Sequence, residues 1–181
     1  MSRITLVDPA NATGSVEQNL AEIKSAFGVV PNMFRAVANS PAALASMWGS
    51  FGALGGGRLG AKLGEQIAVA VADRNNCNYC LAAHTGLGKR AGATTEEMAE
   101  AQAGRSADKR TQAALTFALR VVDKRADITA ADIDALRAAG FDDADVAEII
   151  AHVALNVFTN YINVALDVPV DFPAVKLTRA A

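Results

Sequence analysis

Helix punctuation is the densest local signal in this chain. Ser15 with Gln18, Thr94 with Glu97 and Thr129 with Asp132 have the spacing of capping boxes, and Ser40-Pro41 sets an N-cap before a proline at the first helical position. Gly28, Gly92, Gly104 and Gly140 stand where helices of ordinary length would end. Between these marks alanine abounds and apolar residues recur at helical spacing, without the alternation of a strand. The pattern predicts an all-α protein with helices over 16–27, 41–54, 61–74, 77–91, 95–103, 108–125, 130–139 and 143–166.

With 181 residues, of which 51 % are hydrophobic, the chain has material for a real core. One helical domain is expected over 1–181, with an N-terminal arm at about 1–14 and an extended tail at about 167–181, where Pro169 and Pro173 forbid a continuing helix. The run Gly55-Gly56-Gly57 is too short to separate independent cores and reads as a turn inside the domain. Basic residues number 17 and acidic ones 19, spread along the chain, so the net charge of −2 offers no patch for nucleic acid or anionic lipid. Asp8 and Pro9 interrupt the opening before it could form a secretory leader, and no apolar run reaches the roughly 18 residues of a membrane span. The expected place is the cytoplasm, where a lone close pair of cysteines is catalytic or metal-binding more often than structural.

That pair is Cys77 and Cys80, the only cysteines, and His84 follows four residues after the second. On one helix these positions fall within a sector of roughly 60°, with Tyr79 pointing away. The cluster opens its helix just after Asn75-Asn76, so backbone N–H groups and the helix dipole favour a thiolate. Gly88 and Ala91 continue the stripe, either leaving room for a substrate or allowing close helix packing. Glu65, twelve residues before Cys77, begins a segment that is apolar nearly all round. A hairpin could bring its carboxylate to the His84 imidazole; otherwise Glu65 faces water at the helix start. A Glu–His–Cys relay suits peroxide reduction, in which a Cys80 thiolate attacks the O–O bond and Cys77 condenses with the resulting sulfenic acid. The same residues are open to disulfide exchange alone, to zinc held by two cysteines, a histidine and a carboxylate, or to inert burial.

Glu65 followed by Cys77-x-x-Cys80-x-x-x-His84, in a helical and alanine-rich chain, resembles the active-site motif of the alkylhydroperoxidase D-like, or carboxymuconolactone decarboxylase, superfamily. Val29 to Arg35, Ser40-Pro41 and Asp167-Val168-Pro169 resemble its peroxidase-related branch, and the likeness covers about 15–173. It implies a multi-helix fold with the cysteine pair at the start of a central helix. It implies Cys80 as the peroxidatic thiol, Cys77 as its disulfide partner, His84 as the proton relay and Glu65 as the residue that orients it. No metal, flavin or other cofactor is implied. The partners implied are a hydroperoxide, a dithiol, thioredoxin-like or lipoyl reductant, and further copies of the chain in a trimer or hexamer. In the lipoyl-dependent peroxidases a histidine directly precedes the second cysteine, where this chain has Tyr79, and their motif lies in the C-terminal half. The decarboxylase branch generally lacks the cysteine pair, which leaves an acid–base enzyme using Glu65 and His84 as a further alternative.

His152, Asn156, Asn160 and Asn163 share a stripe on the last helix, read as a polar seam within an oligomer or as a pocket lining. Met47, Trp48 and Phe51 are read as packing.

Overall fold

The structure, a computed structural model, describes residues 2–178. Among them there are nine α-helices and no strand: α1 Gly14–Phe27, α2 Asn32–Val37, α3 Pro41–Gly55, α4 Ala61–Arg74, α5 Asn78–Arg90, α6 Thr95–Gln102, α7 Lys109–Asp123, α8 Ala130–Ala138 and α9 Asp143–Ala165, with a 3-10 turn at Pro9–Asn11. The all-α expectation holds, and several ends fall where the punctuation put them. Ser40 accepts a hydrogen bond from the Ala43 N–H, and Thr94 and Glu97 close a reciprocal capping box. Asp132 reaches back to the N–H of Thr129 at 2.8 Å. Gly28 takes the left-handed conformation at the end of α1, with φ of 80°.

Two local expectations fail. Ser15 lies inside α1, which begins at Gly14 behind Thr13, so its spacing to Gln18 caps nothing. The six-residue α2 was not foreseen, because it is too short to display a period; Met33, Phe34, Ala36 and Val37 are nonetheless buried in it.

Helix α4 occupies the middle of the bundle and packs against α5, α6, α7 and α9. Every residue from Gln66 to Asp73 is buried, which is why the stretch reads as apolar all round. Ile67, Val69 and Val71 have no exposed surface, and each contributes roughly 1.5–3 kcal/mol of hydrophobic stabilisation. A second aromatic layer joins α1, α2 and α3, with Phe34 edge-on to Trp48 and to Phe51 at centroid distances of 5.8 Å.

The turn after Gly55 is fixed to the bundle. Glu148 on α9 accepts the N–H groups of Arg58 and Leu59 at 3.0 and 2.9 Å, and a side chain at Gly57 would overlap its carboxylate. The chain ends are held similarly. Arg3 donates from its backbone to the Leu166 carbonyl at 2.7 Å and from its guanidinium to the Ala165 carbonyl, covering orphan groups at the end of α9. The segment after Asp167 is extended across the surface of its own chain, where Asp171 accepts the Asn32 N–H at 2.7 Å and Asp73 accepts the Thr178 N–H at 2.9 Å. No helix among the described residues is long and apolar enough to cross a membrane.

Candidate active site

The α4–α5 corner aims the first cysteine. Asn76 takes a left-handed conformation at φ 53°, which asparagine tolerates, and the N–H groups of Asn76 and Cys77 return to the Asp73 and Ala72 carbonyls. Cys77 therefore ends the cap of α4 and begins α5. It is the N-cap of α5 and not a residue of its first turn as the sequence led us to expect; its sulfur accepts the Cys80 N–H at 3.3 Å. Both cysteines are free thiols and buried.

The corner also folds α5 back along α4, and this brings Glu65 to His84. Their contact, Nδ1 to Oε2, measures 2.7 Å. The His84 side chain is 10 % exposed and that of Glu65 21 %, so the carboxylate faces the imidazole at the edge of the protein interior. Burial lowers the proton affinity of His84, but the Glu65 charge and hydrogen bond outweigh it and the net effect is a raised pKa. Nδ1 then donates to Glu65 and Nε2 is left to handle a proton.

Burial pushes the Cys80 thiol up, yet the hydrogen bond from the Cys77 thiol, the His84 charge and the amide of Asn163 bring it down to about 6. Asn163 Nδ2 donates to the sulfur at 3.2 Å. Cys77 moves the opposite way, held protonated by its hydrogen bond to Cys80, by burial and by the neighbouring negative charge. The two thiols are thus inequivalent: Cys80 is the anion and Cys77 its donor.

The polar stripe of α9 turns inward to this site within one chain. Besides Asn163, Asn160 accepts from Asn75 Nδ2 at 2.9 Å, and Asn160 and Asn163 are both buried. Among the described residues, Asn160 Nδ2 and Asn163 Oδ1 lack hydrogen-bond partners. His152 and Asn156 line a cavity of about 310 Å³ together with Glu65 and His84. Trp48 and Phe51, read from sequence as packing, are walls of this cavity as well as core, whereas Met47 is entirely core. A smaller chamber of about 30 Å³ lies against Cys80; His84, Phe27, Phe51 and Leu87 border both spaces.

Tyr79 bounds the small chamber too. Its hydroxyl accepts the Met33 N–H at 3.1 Å, its ring meets Phe172 edge-on at 5.5 Å, and burial keeps the phenol protonated by raising its pKa. Gly88 leaves no room for a substrate: an added Cβ would overlap the Met98 side chain, so this glycine serves close packing of α5 on α6. Among the described residues no three His, Cys, Asp or Glu side chains converge as a metal site requires.

Residues 41–124, which hold all four of Glu65, Cys77, Cys80 and His84, match the model of the carboxymuconolactone decarboxylase family. The whole fold superimposes on the alkylhydroperoxidase AhpD core of a peroxidase-related protein from Ralstonia eutropha, with 26 % identity, a TM-score of 0.86, and coverage of 94 % of this chain and 92 % of that one. The chain has the AhpD-like fold of the carboxymuconolactone decarboxylase superfamily. A peroxidase-related protein from a Silicibacter species shares 25 % identity at a TM-score of 0.82, over 93 % of this chain and 91 % of that one. The debrominase Bmp8 has the same fold at 20 % identity and a TM-score of 0.79, over 93 % and 91 %. No curated protein matches this AhpD-like chain.

Proposed function

We propose that this protein is a thiol peroxidase that reduces an organic hydroperoxide through Cys80 and is regenerated by a dithiol. The observation that carries this reading is the 2.7 Å contact between Glu65 and His84 at the chamber of a thiol whose pKa is lowered to about 6. At neutral pH the pair stores a nucleophile and a proton side by side. The Cys80 thiolate attacks the terminal oxygen of the hydroperoxide, the O–O bond breaks, and the departing alkoxide takes the His84 proton as an alcohol. Cys80 is left as a sulfenic acid. Loss of the negative charge on Cys80 removes one of the influences that keep Cys77 protonated, so oxidation of the first sulfur readies the second. Cys77 then attacks Cys80, water leaves, and the disulfide forms.

The larger cavity supplies a place for the organic body. Its walls are Phe27, Trp48, Phe51, Leu87 and Leu155, with no lysine or arginine among its lining residues. An apolar, uncharged substituent fits such walls; a carboxylate would be stranded.

Loss of cumene hydroperoxide in the presence of dihydrolipoamide tests the reading. The wild type should consume peroxide over many turnovers, Cys80→Ser none, and Cys77→Ser a single equivalent. Consumption that survives Cys80→Ser would defeat it.

A second reading rests on the likeness to Bmp8, a cysteine-to-alanine variant of which is held with 2,3,4-tribromopyrrole. The same apolar cavity could hold a bromoaromatic, whose carbon–bromine bond would be reduced by the same two electrons, giving bromide and the Cys77–Cys80 disulfide. Bromide release under the same conditions, with no peroxide consumed, would replace the first reading by this one.

A further inference from the structure

Two polar side chains of the large cavity have no part in the thiol chemistry. Against its aromatic and aliphatic walls stand Glu65 and His84, which hold one another, and His152 and Asn156, which come from α9. The Trp48 indole N–H is spent elsewhere, on Glu22 at 2.8 Å. His152 and Asn156 are four residues apart and share one face of their helix. Asn156 donates its Nδ2 to the His152 carbonyl at 2.8 Å, which leaves its amide oxygen as an acceptor for an occupant.

The His152 ring lies against Gly64 of α4, where an added Cβ would stand 3.0 Å from its Cε1. Among the described residues nothing forms a hydrogen bond with that ring. Burial lowers its proton affinity, so near pH 7 the imidazole is neutral, with one N–H to give and one bare nitrogen to receive. A wholly apolar occupant would leave this ring and the Asn156 oxygen dry and unpaired.

We propose that His152 and Asn156 recognise a phenolic hydroxyl, so that the substrate's organic body is one aromatic ring carrying an uncharged hydroxyl group. The inference rests on the peroxidase reading only in calling this occupant a substrate. The phenol oxygen accepts the imidazole N–H, and the phenol O–H donates to the Asn156 oxygen. A carbonyl can only accept and would leave that oxygen unpaired, whereas a hydroxyl serves both sides. Phe27, Trp48 and Phe51 supply aromatic walls, and the space of about 310 Å³ suffices, since a dry cavity of about 150 Å³ holds benzene. His84 lines both this cavity and the chamber at Cys80, so a ring anchored at His152 can extend its reacting group past that imidazole toward the sulfur.

The test measures occupancy without turnover. Trp48 is the only tryptophan and a wall of the cavity, so its fluorescence reports an occupant of the full chain directly. Phenol and toluene, which share a shape, are titrated against the reduced protein. Transfer out of water favours toluene, and a hydroxyl buried without partners would bind roughly tenfold more weakly. The wild type should instead prefer phenol by about tenfold. His152→Phe should reverse that order while still binding toluene, and His152→Gln, which keeps a donor and an acceptor, should prefer phenol again. A wild type that prefers toluene or binds neither would overturn the proposal, and this result decides even if a variant fails to fold. A phenol preference that survives His152→Phe would also overturn it, by giving the hydroxyl to Glu65. Phenol preferred by a wild type that consumes no hydroperoxide would remove the peroxidase reading and leave the class of occupant standing.

Discussion

Replacing Glu65 by glutamine separates charge from shape at the site. The amide can still meet His84 Nδ1, but the negative charge that outweighs burial is gone, so the imidazole becomes neutral near pH 7. Cys80 then loses its cationic neighbour while the cost of burying its thiolate remains. At pH 7 a thiol with a pKa of about 6 is about nine-tenths ionised, and one at the ordinary value of about 8.5 is about 3 % ionised, a roughly 30-fold difference in thiolate. The more basic thiolate is also the better nucleophile, by roughly tenfold for that interval. The two effects nearly offset each other at pH 7, where the variant should alkylate with iodoacetamide only about two- to threefold more slowly than the wild type. The pH profile discriminates far better than any single rate. Wild-type alkylation should reach half its plateau near pH 6, and Glu65→Gln should keep rising past pH 8, having overtaken the wild type above about pH 7.5. A Glu65→Gln profile still centred near pH 6 would refute the claim that the Glu65–His84 pair holds Cys80 as an anion.

Asn163→Ala removes the 3.2 Å donor to the sulfur and should favour the protonated thiol by about 1.5–3 kcal/mol, read as an upward move of the 240 nm thiolate titration. The reduced protein should show stability nearly independent of pH in urea unfolding from about 6.5 up to the raised folded value of His84, while the unfolded thiol stays protonated. In that window the folded pair is imidazolium plus thiolate and the unfolded pair is imidazole plus thiol, so the proton counts match. Cys80→Ser removes one side of this balance: the raised His84 pKa then contributes stability that is full below about pH 6.5 and lost as pH rises through the folded value. Gly88→Ala should cost about 1–3 kcal/mol in the same assay, because its Cβ displaces Met98 from a filled position. Ile67→Ala, fully buried on α4, should cost about 2–5 kcal/mol.

Local chemistry explains which parts of the molecule were legible in the sequence. Ser40-Pro41 and the Thr94–Glu97 box act within one turn of chain, and they fix the starts of α3 and α6 wherever the rest of the protein lies. The meeting of Glu65 and His84 could be considered from the sequence because the Asn75-Asn76 turn folds adjacent helices back on one another. What depended on distant partners was hidden. The space at Gly88 is filled by Met98, ten residues on, and Trp48 becomes a cavity wall only where α3 meets α5 and α9. Helix α2 is stabilised by burial and by the distant Tyr79 hydroxyl and Asp171 carboxylate, neither of which is announced within its six residues. The α9 stripe was visible as a stripe, but its orientation toward Cys80 rests on contacts across about eighty residues of chain.

That stripe makes α9 a ruler. Glu148 grips the turn before α4, His152 and Asn156 face the cavity, and Asn163 reaches the sulfur, all from one uninterrupted 23-residue helix. Substitutions on its outer face, at Tyr161 for instance, leave that spacing untouched. Inserting a single residue between His152 and Asn160 would instead swing everything beyond it by about 100° and advance it by about 1.5 Å, separating the thiol from its amide while the turn stayed gripped. Descendants of this gene are therefore free to vary in the letters on the outer face of α9 and are held strictly to their number.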